Sequence, residues 1–138
     1  KSEFYCTCYY AKQFAALRKA YIGNEDDFLR SLSRCKKFQP TGGKSGSAFI
    51  KSWDDRFILK QVSRVELVTF LETGTNYFEY VANTLFHGLP SVLVKILGVF
   101  RLGFTYKGKF IKQDLVVMDN LFYGRTLSRV CVDFTFLT

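Results

Sequence analysis

The chain has 138 residues, with 20 Lys plus Arg against 12 Asp plus Glu and a single His, giving a formal net charge of +8 at pH 7. That is the length of one domain with enough chain to bury a core, and 15 Phe and 8 Tyr with only two Pro exclude intrinsic disorder. The most apolar stretch, 91–104, is cut by Lys95 and Arg101 and falls short of the ~20 apolar residues that a membrane-spanning helix needs.

Residues 3–10 alternate loosely between polar and aromatic, which predicts a short strand. From Tyr10 the period changes. Tyr10, Phe14, Leu17 and Tyr21 fall at helical spacing, with Lys12, Arg18 and Lys19 expected to face away, and Gly23 ends that helix. Asn24 followed by Glu25, Asp26 and Asp27 opens a second helix with acids at its positive end. Phe28, Leu29 and Leu32 give it an apolar face, and it is expected to stop before Pro40.

A flexible small-residue loop over 40–47 follows, then a strand over 48–53, a turn at Asp54-Asp55 and a returning strand over 56–62. Ser63 with Glu66 three residues later is a capping box, so a helix begins there and is expected to end near Thr73-Gly74. A separate helix carrying Tyr77, Val81 and Leu85 should stop at Gly88 and Pro90. Two long strands, 93–104 and 110–119, are joined through Tyr106-Lys107-Gly108-Lys109. This order predicts a single α+β domain over 1–138, an antiparallel sheet with packed helices.

Cysteines stand at positions 6, 8, 35 and 131, and the 6/8 pair is separated by one residue rather than the two of a zinc knuckle. With only His87 to add, no metal site is expected, and partly buried free thiols in a reducing cytosol are the simpler expectation. His87 itself lies in Phe86-His87-Gly88-Leu89-Pro90, a helix stop rather than a catalytic setting.

The loop and one lysine carry the chemistry. Glycines let a backbone approach a phosphate chain so that successive amides point at its oxygens, and a lysine on the next strand adds a point charge. Here the loop is Gly42, Gly43, Lys44, Ser45, Gly46 and Ser47, and the lysine is Lys60, which interrupts a strand face carrying Ile58 and Val62. A charge on an apolar face needs an anionic partner, either a carboxylate or a phosphate. The Walker pattern is excluded because Phe38 stands where its first glycine belongs, and the dinucleotide fingerprint fails on spacing. Strand, glycine loop, strand with lysine, helix with an early glutamate and two more strands is instead the order of a kinase small lobe.

Several segments together resemble the phosphatidylinositol phosphate kinase family, most closely its phosphatidylinositol-3-phosphate 5-kinase branch. They are Gly42-Gly43-Lys44-Ser45-Gly46, Asp54-Asp55-Arg56-Phe57-Ile58-Leu59-Lys60-Gln61, Lys95-Ile96-Leu97-Gly98 and Leu115-Val116-Val117-Met118-Asp119-Asn120-Leu121. Phe28-Leu29-Arg30-Ser31-Leu32-Ser33 and Tyr123-Gly124-Arg125 point to the same branch, and the likeness runs over about 4–129. The resemblance implies the small, N-terminal lobe of a lipid kinase, with ATP under the 42–47 loop and Lys60 on the nucleotide phosphates. It also implies Asp119, Asn120 and Leu121 at the hinge beside adenine. Glu66 is the expected helix carboxylate near Lys60, with Glu72 as its competitor.

In the family an Asp-Leu-Lys-Gly-Ser segment should follow shortly after Arg129. This chain reads Val130-Cys131-Val132-Asp133-Phe134-Thr135-Phe136-Leu137-Thr138, which is expected to be an atypical tail over 130–138. The large lobe, with its Mg2+ ligands and catalytic aspartate, would then lie outside the chain, and the chain alone would be inactive. Lys1-Ser2-Glu3 leads into no apolar run, so no signal peptide is expected, and the first residue is not Met, as in a piece of a longer protein.

The partners so implied are an anionic phosphoinositide membrane surface, with a cytosolic protein peripheral on endosomal or vacuolar membranes, and a protein partner or second copy covering the cleft. A non-catalytic regulatory or dimerisation module is the alternative. Six positive residues and no acid lie between Phe28 and Trp53 (Arg30, Arg34, Lys36, Lys37, Lys44, Lys51), a run that fits a membrane as well as nucleic acid. With the family segments present, nucleic acid is not expected as a partner.

Overall fold

The structure, a computed structural model, describes residues 3–38, 48–91 and 93–124. Its elements are β1 (Phe4–Tyr9), α1 (Ala11–Tyr21), α2 (Glu25–Leu32), β2 (Cys35–Phe38), β3 (Phe49–Ser52), β4 (Phe57–Val62), α3 (Arg64–Phe86), β5 (Ile96–Tyr106) and β6 (Lys109–Asp119). All six strands form one sheet in the order β1-β5-β6-β4-β3-β2, with every neighbouring pair antiparallel. The fold class is therefore α+β. Lys107 and Gly108 both take positive φ, 48° and 74°, the two-residue turn whose twist matches a β-hairpin and closes β5 onto β6.

Four consecutive residues of β6, Leu115, Val116, Val117 and Met118, are buried, so both faces of the sheet are covered there. Around them Ile58, Leu97, Val99, Leu67 and Phe14 complete one core. At the start of β5 the pairing shifts between Ile96 and Gly98, and the bulge residue Leu97 turns its carbonyl to Arg18 Nη1 at 2.9 Å. Arg18 thus does not face away as its helical position suggested. It is buried, its Nε and Nη2 grip Glu25 at the start of α2, and its guanidinium lies 4.8 Å over the Phe28 ring.

The second helix ends at Leu32, before Pro40 as expected. Between the two lies a strand that the sequence did not predict, β2, because Cys35–Phe38 finds a ladder partner in Phe49–Ser52. Pairing with a neighbour strand outweighs weak local helix preference. Of the apolar face read for that helix, Phe28 is buried, Leu32 half-buried and Leu29 exposed. Cys6, Cys8 and Cys35 are exposed rather than partly buried. Cys131, the 130–138 tail and Gly42 to Ser47 lie outside the described residues.

The expected break at Gly74 is also corrected: α3 is one helix of 23 residues. Tyr10, in the left-handed conformation just ahead of α1, explains the glycine. A Cβ on Gly74 would stand 2.6 Å from the Tyr10 ring, and the Tyr10 hydroxyl donates to the Leu71 carbonyl at 2.6 Å. The glycine marks a close approach, not a helix end. Gly74→Ala should accordingly destabilise the protein by about 1–3 kcal/mol through overpacking. In a Tyr10→Ala background the same change should instead stabilise by about 0.8–1 kcal/mol, the helix preference of alanine over glycine. Denaturant midpoints of the four proteins in that cycle check the reversal of sign.

Candidate functional site

Ser63 and Glu66 close the capping box that the sequence predicts. The Ser63 hydroxyl accepts the Glu66 amide at 3.2 Å, and Glu66 Oε2 accepts the Ser63 amide at 2.7 Å. The other carboxylate oxygen, Oε1, takes Lys60 Nζ at 2.9 Å. Lys60 is 3% exposed, on β4 between β3 and β6, with Phe49 and Val116 as its register partners. The register puts Ile58, Val62, Val116 and Met118 on its face of the sheet. Glu66 therefore makes this ion pair, while Glu72, the competitor, is exposed further along α3.

Burial acts to raise the Glu66 carboxyl, but the Ser63 amide and the Lys60 ammonium overcome it and leave the carboxyl below its ordinary range. Stability from this group is thus complete above the usual carboxylate range and is lost as pH falls through the lowered folded value. Glu66→Ala should cost about 1–3 kcal/mol, since both the cap and the pair go. Glu66→Gln should cost less, because glutamine at this position still accepts the Ser63 amide. Melts of the two variants from pH 7 downward check this: both differences from wild type should shrink in acid.

β2 ends at Phe38 and β3 begins at Phe49, and these two residues face one another across the two strands. Phe49, the first residue of β3, is also the register partner of Lys60. At the far end of β4, Phe57 pairs with Asp119. Phe57 is three residues from Lys60, ~10 Å along a strand, and its side chain and that of Asp119 point to the opposite face. The structure therefore gathers Lys60 and Glu66 at one end of β4 and Asp119, Asn120 and Leu121 at the other.

The second group is held by its own bonds. The Asn120 amide nitrogen donates from Nδ2 to the Asp55 carbonyl at 2.6 Å, and Oδ1 accepts the Phe122 amide at 3.1 Å. Its main-chain N–H donates to the Arg56 carbonyl at 3.0 Å. Asn120, assigned to nucleotide by the resemblance, thus uses its side chain to clasp the end of β6 to the β3–β4 turn. Leu121 is exposed. Burial pushes the Asp119 carboxyl up, with Lys95 and Arg56 only partly opposing. A raised folded value means that ionised Asp119 costs stability at neutral pH and that the cost disappears as pH falls through that value. Asp119→Asn should raise the melting temperature at pH 7, and the gain should fade in acid melts.

One network escaped the reading of the sequence. Ser52, fully buried, accepts the Phe57 amide at 2.9 Å and donates to Asp54 Oδ1 at 2.7 Å, and Ser31 of α2 donates to Asp54 Oδ2. Burial acts to raise Asp54, and the two serines and the Arg56 amide bring it below its ordinary range. The Asp-Asp turn signalled the reversal but not that its first acid anchors α2. The second acid, Asp55, takes Lys36 and Lys51 at 2.9 Å each, which compensates part of the basic run between Phe28 and Trp53. Among the described residues no three His, Cys, Asp or Glu side chains come together as a metal site, and no described helix is long and apolar enough to cross a membrane.

The family described as Phosphatidylinositol-4-phosphate 5-Kinase matches residues 30–132. The chain is 46% identical over 132 residues to a 1-phosphatidylinositol 3-phosphate 5-kinase of Homo sapiens, covering 94% of this chain and 6% of that protein. One from Arabidopsis thaliana is 44% identical over 132 residues, covering 94% of this chain and 8% of that protein. For one from Saccharomyces cerevisiae the identity is 39% over 128 residues, covering 91% and 6%. A buried strand lysine paired to a capped helix, and a match over three quarters of the sequence, put the chain in the phosphatidylinositol phosphate kinase family. Within it the likeness is to the phosphatidylinositol 3-phosphate 5-kinases, and the chain corresponds to a fragment, spanning less than a tenth of the length of these relatives.

Proposed function

We propose that residues 1–138 are the ATP-binding small lobe of a kinase that phosphorylates the 5-hydroxyl of phosphatidylinositol 3-phosphate. The observation that carries this reading is the Lys60–Glu66 pair at 2.9 Å, on the central β4 strand and the first turn of α3. Kinases hold a strand lysine on the nucleotide phosphates with a helix glutamate in this way. In this reading Lys60 is the catalytic contact of the chain. Gly42, Gly43 and Gly46 bring the 42–47 backbone, with Lys44, Ser45 and Ser47, over the phosphates. Asp119, Asn120 and Leu121 form the hinge beside the base; the Asn120 side chain and main-chain N–H are already engaged within the hinge, and the exposed Leu121 is the one that faces the base.

Mg2+ would be held by aspartates of the large lobe. The chain by itself should then bind ATP without turning over. The lipid substrate implies work at the cytosolic face of endosomal or vacuolar membranes.

Thermal melts with and without ATP test this. ATP at a hundredfold excess over its Kd should stabilise the wild-type chain by about 2.7 kcal/mol. Lys60→Met keeps the stem, removes the charge and leaves Glu66 on the Ser63 amide. It should melt close to wild type and lose the ATP protection. A melt far below wild type with protection intact would make Lys60 a structural ion-pair residue and end the nucleotide-site reading. With magnesium and phosphatidylinositol 3-phosphate added, the chain alone should form no bisphosphate above background.

A further inference from the structure

The covered half of β6 ends at Leu115, and beyond it the β5–β6 hairpin runs on past the core. Its tip is aromatic and basic. Tyr106 is 57% exposed and Phe110 48%, and Phe4 and Tyr5 at the start of the neighbouring β1 are exposed as well. Lys107, Lys109 and Lys112 are exposed among them, and no acid occurs from Thr105 to Lys112. Among the described residues none of these three lysines makes an ion pair. Lys107 lies 5.4 Å over the Tyr106 ring and Lys112 5.9 Å over Phe110.

The register distributes the rings over both faces. Phe110 opposes Thr105 and Tyr5 opposes Gly103, which puts Phe110, Tyr5 and Lys112 on one face, where the two rings stack at 5.9 Å. Tyr106, Lys109 and Phe4 fall on the other. A turn of only two residues keeps the tip narrow.

We propose that this hairpin tip is a membrane anchor that dips its aromatic rings into the headgroup region of an anionic leaflet while Lys107, Lys109 and Lys112 meet the lipid phosphates. The proposal rests on the lipid-kinase reading, which brings the chain to a bilayer. Aromatic side chains settle at the interface of a bilayer, and each basic residue near an anionic surface adds to the attraction. A bilayer surrounds an inserted tip on both sides, so rings on both faces are used. A single-stranded nucleic acid stacking along one face would leave the rings of the other face unused. The other basic region, around Trp53, is less suited, because Lys36 and Lys51 share Asp55 and Arg30 stands 3.7 Å from Asp27.

The single tryptophan of the chain makes the two surfaces separately readable. Trp53 reports the basic run, and Tyr106→Trp in a Trp53→Phe background reports the hairpin. With vesicles of phosphatidylcholine and phosphatidylserine, the tryptophan at 106 should shift to the blue and be quenched by brominated lipid, and Trp53 in the unaltered chain should not. The triple change Lys107→Gln, Lys109→Gln, Lys112→Gln should lower partitioning about a hundredfold, at roughly fivefold per residue, with an unchanged melt.

Quenching at Trp53 but not at 106 would overturn the hairpin and move the anchor to the basic run. No quenching at either position, equal binding to pure phosphatidylcholine, or tighter binding to a single-stranded oligonucleotide at the same salt would also overturn it. ATP protection in the melts is read independently, so the hairpin can fail while the nucleotide site stands.

Discussion

A single carboxylate holds the structure to its chemistry. Glu66 gives one oxygen to the Ser63 amide, which starts α3, and the other to Lys60, which sits in the middle of the sheet. The ammonium is not secure without the carboxylate. An ammonium on a strand face carrying Ile58, Val62, Val116 and Met118 must meet an anion, and a helix must satisfy its first amides. The same group does both, so the angle at which α3 leaves the sheet and the position of the lysine are set together.

A second charge fixes the frame around that pair. Arg18 of α1 joins two further elements at once: the bulge of β5 through Leu97, and α2 through both Glu25 and the Phe28 ring. Buried guanidinium groups are tolerated only when their donors are used, and here they are spread over a carbonyl and a carboxylate. Phe28 in turn meets Phe57 edge-on at 5.3 Å, next to Asp119 on β6. The end of the sheet away from Lys60 is thus held by α2, Asp54 and Asn120 rather than by the strands alone.

Much of this was legible in the residues. The capping box of Ser63 and Glu66, the β3–β4 reversal at Asp54-Asp55 and the Lys107-Gly108 turn are local chemistry, and each forms where its residues stand. The family segments named the branch because they are linked motifs with defined order. What stayed hidden depends on contacts distant in sequence. Arg18 has the helical phase of a solvent residue, and only Glu25 and Leu97 explain its burial. Gly74 reads as a helix end until Tyr10, 64 positions earlier, is placed against it. Cys35–Phe38 carries no strand pattern of its own and becomes β2 because β3 offers an edge. For Asn120 the resemblance supplied a role without a mode, and the side-chain bonds to Asp55 and Phe122 show that its amide serves the backbone.

The unbroken α3 has a mechanical consequence. At 1.5 Å per residue its 23 residues make a rod of about 35 Å. Near its middle the Tyr77 hydroxyl accepts the Ile96 amide at 2.8 Å and donates to the Ile96 carbonyl at 3.1 Å, a pin between rod and sheet. Glu66 lies ~16 Å from that pin on one side and the exposed Phe86 ~14 Å on the other, so the two arms are nearly balanced. A tilt of about 4° around Tyr77 swings the carboxylate by roughly 1 Å, which stretches a charge-assisted hydrogen bond beyond its working range. A second hold, the Tyr10 hydroxyl on the Leu71 carbonyl, lies on the Glu66 arm and opposes such a tilt, so the rod keeps the carboxylate on Lys60.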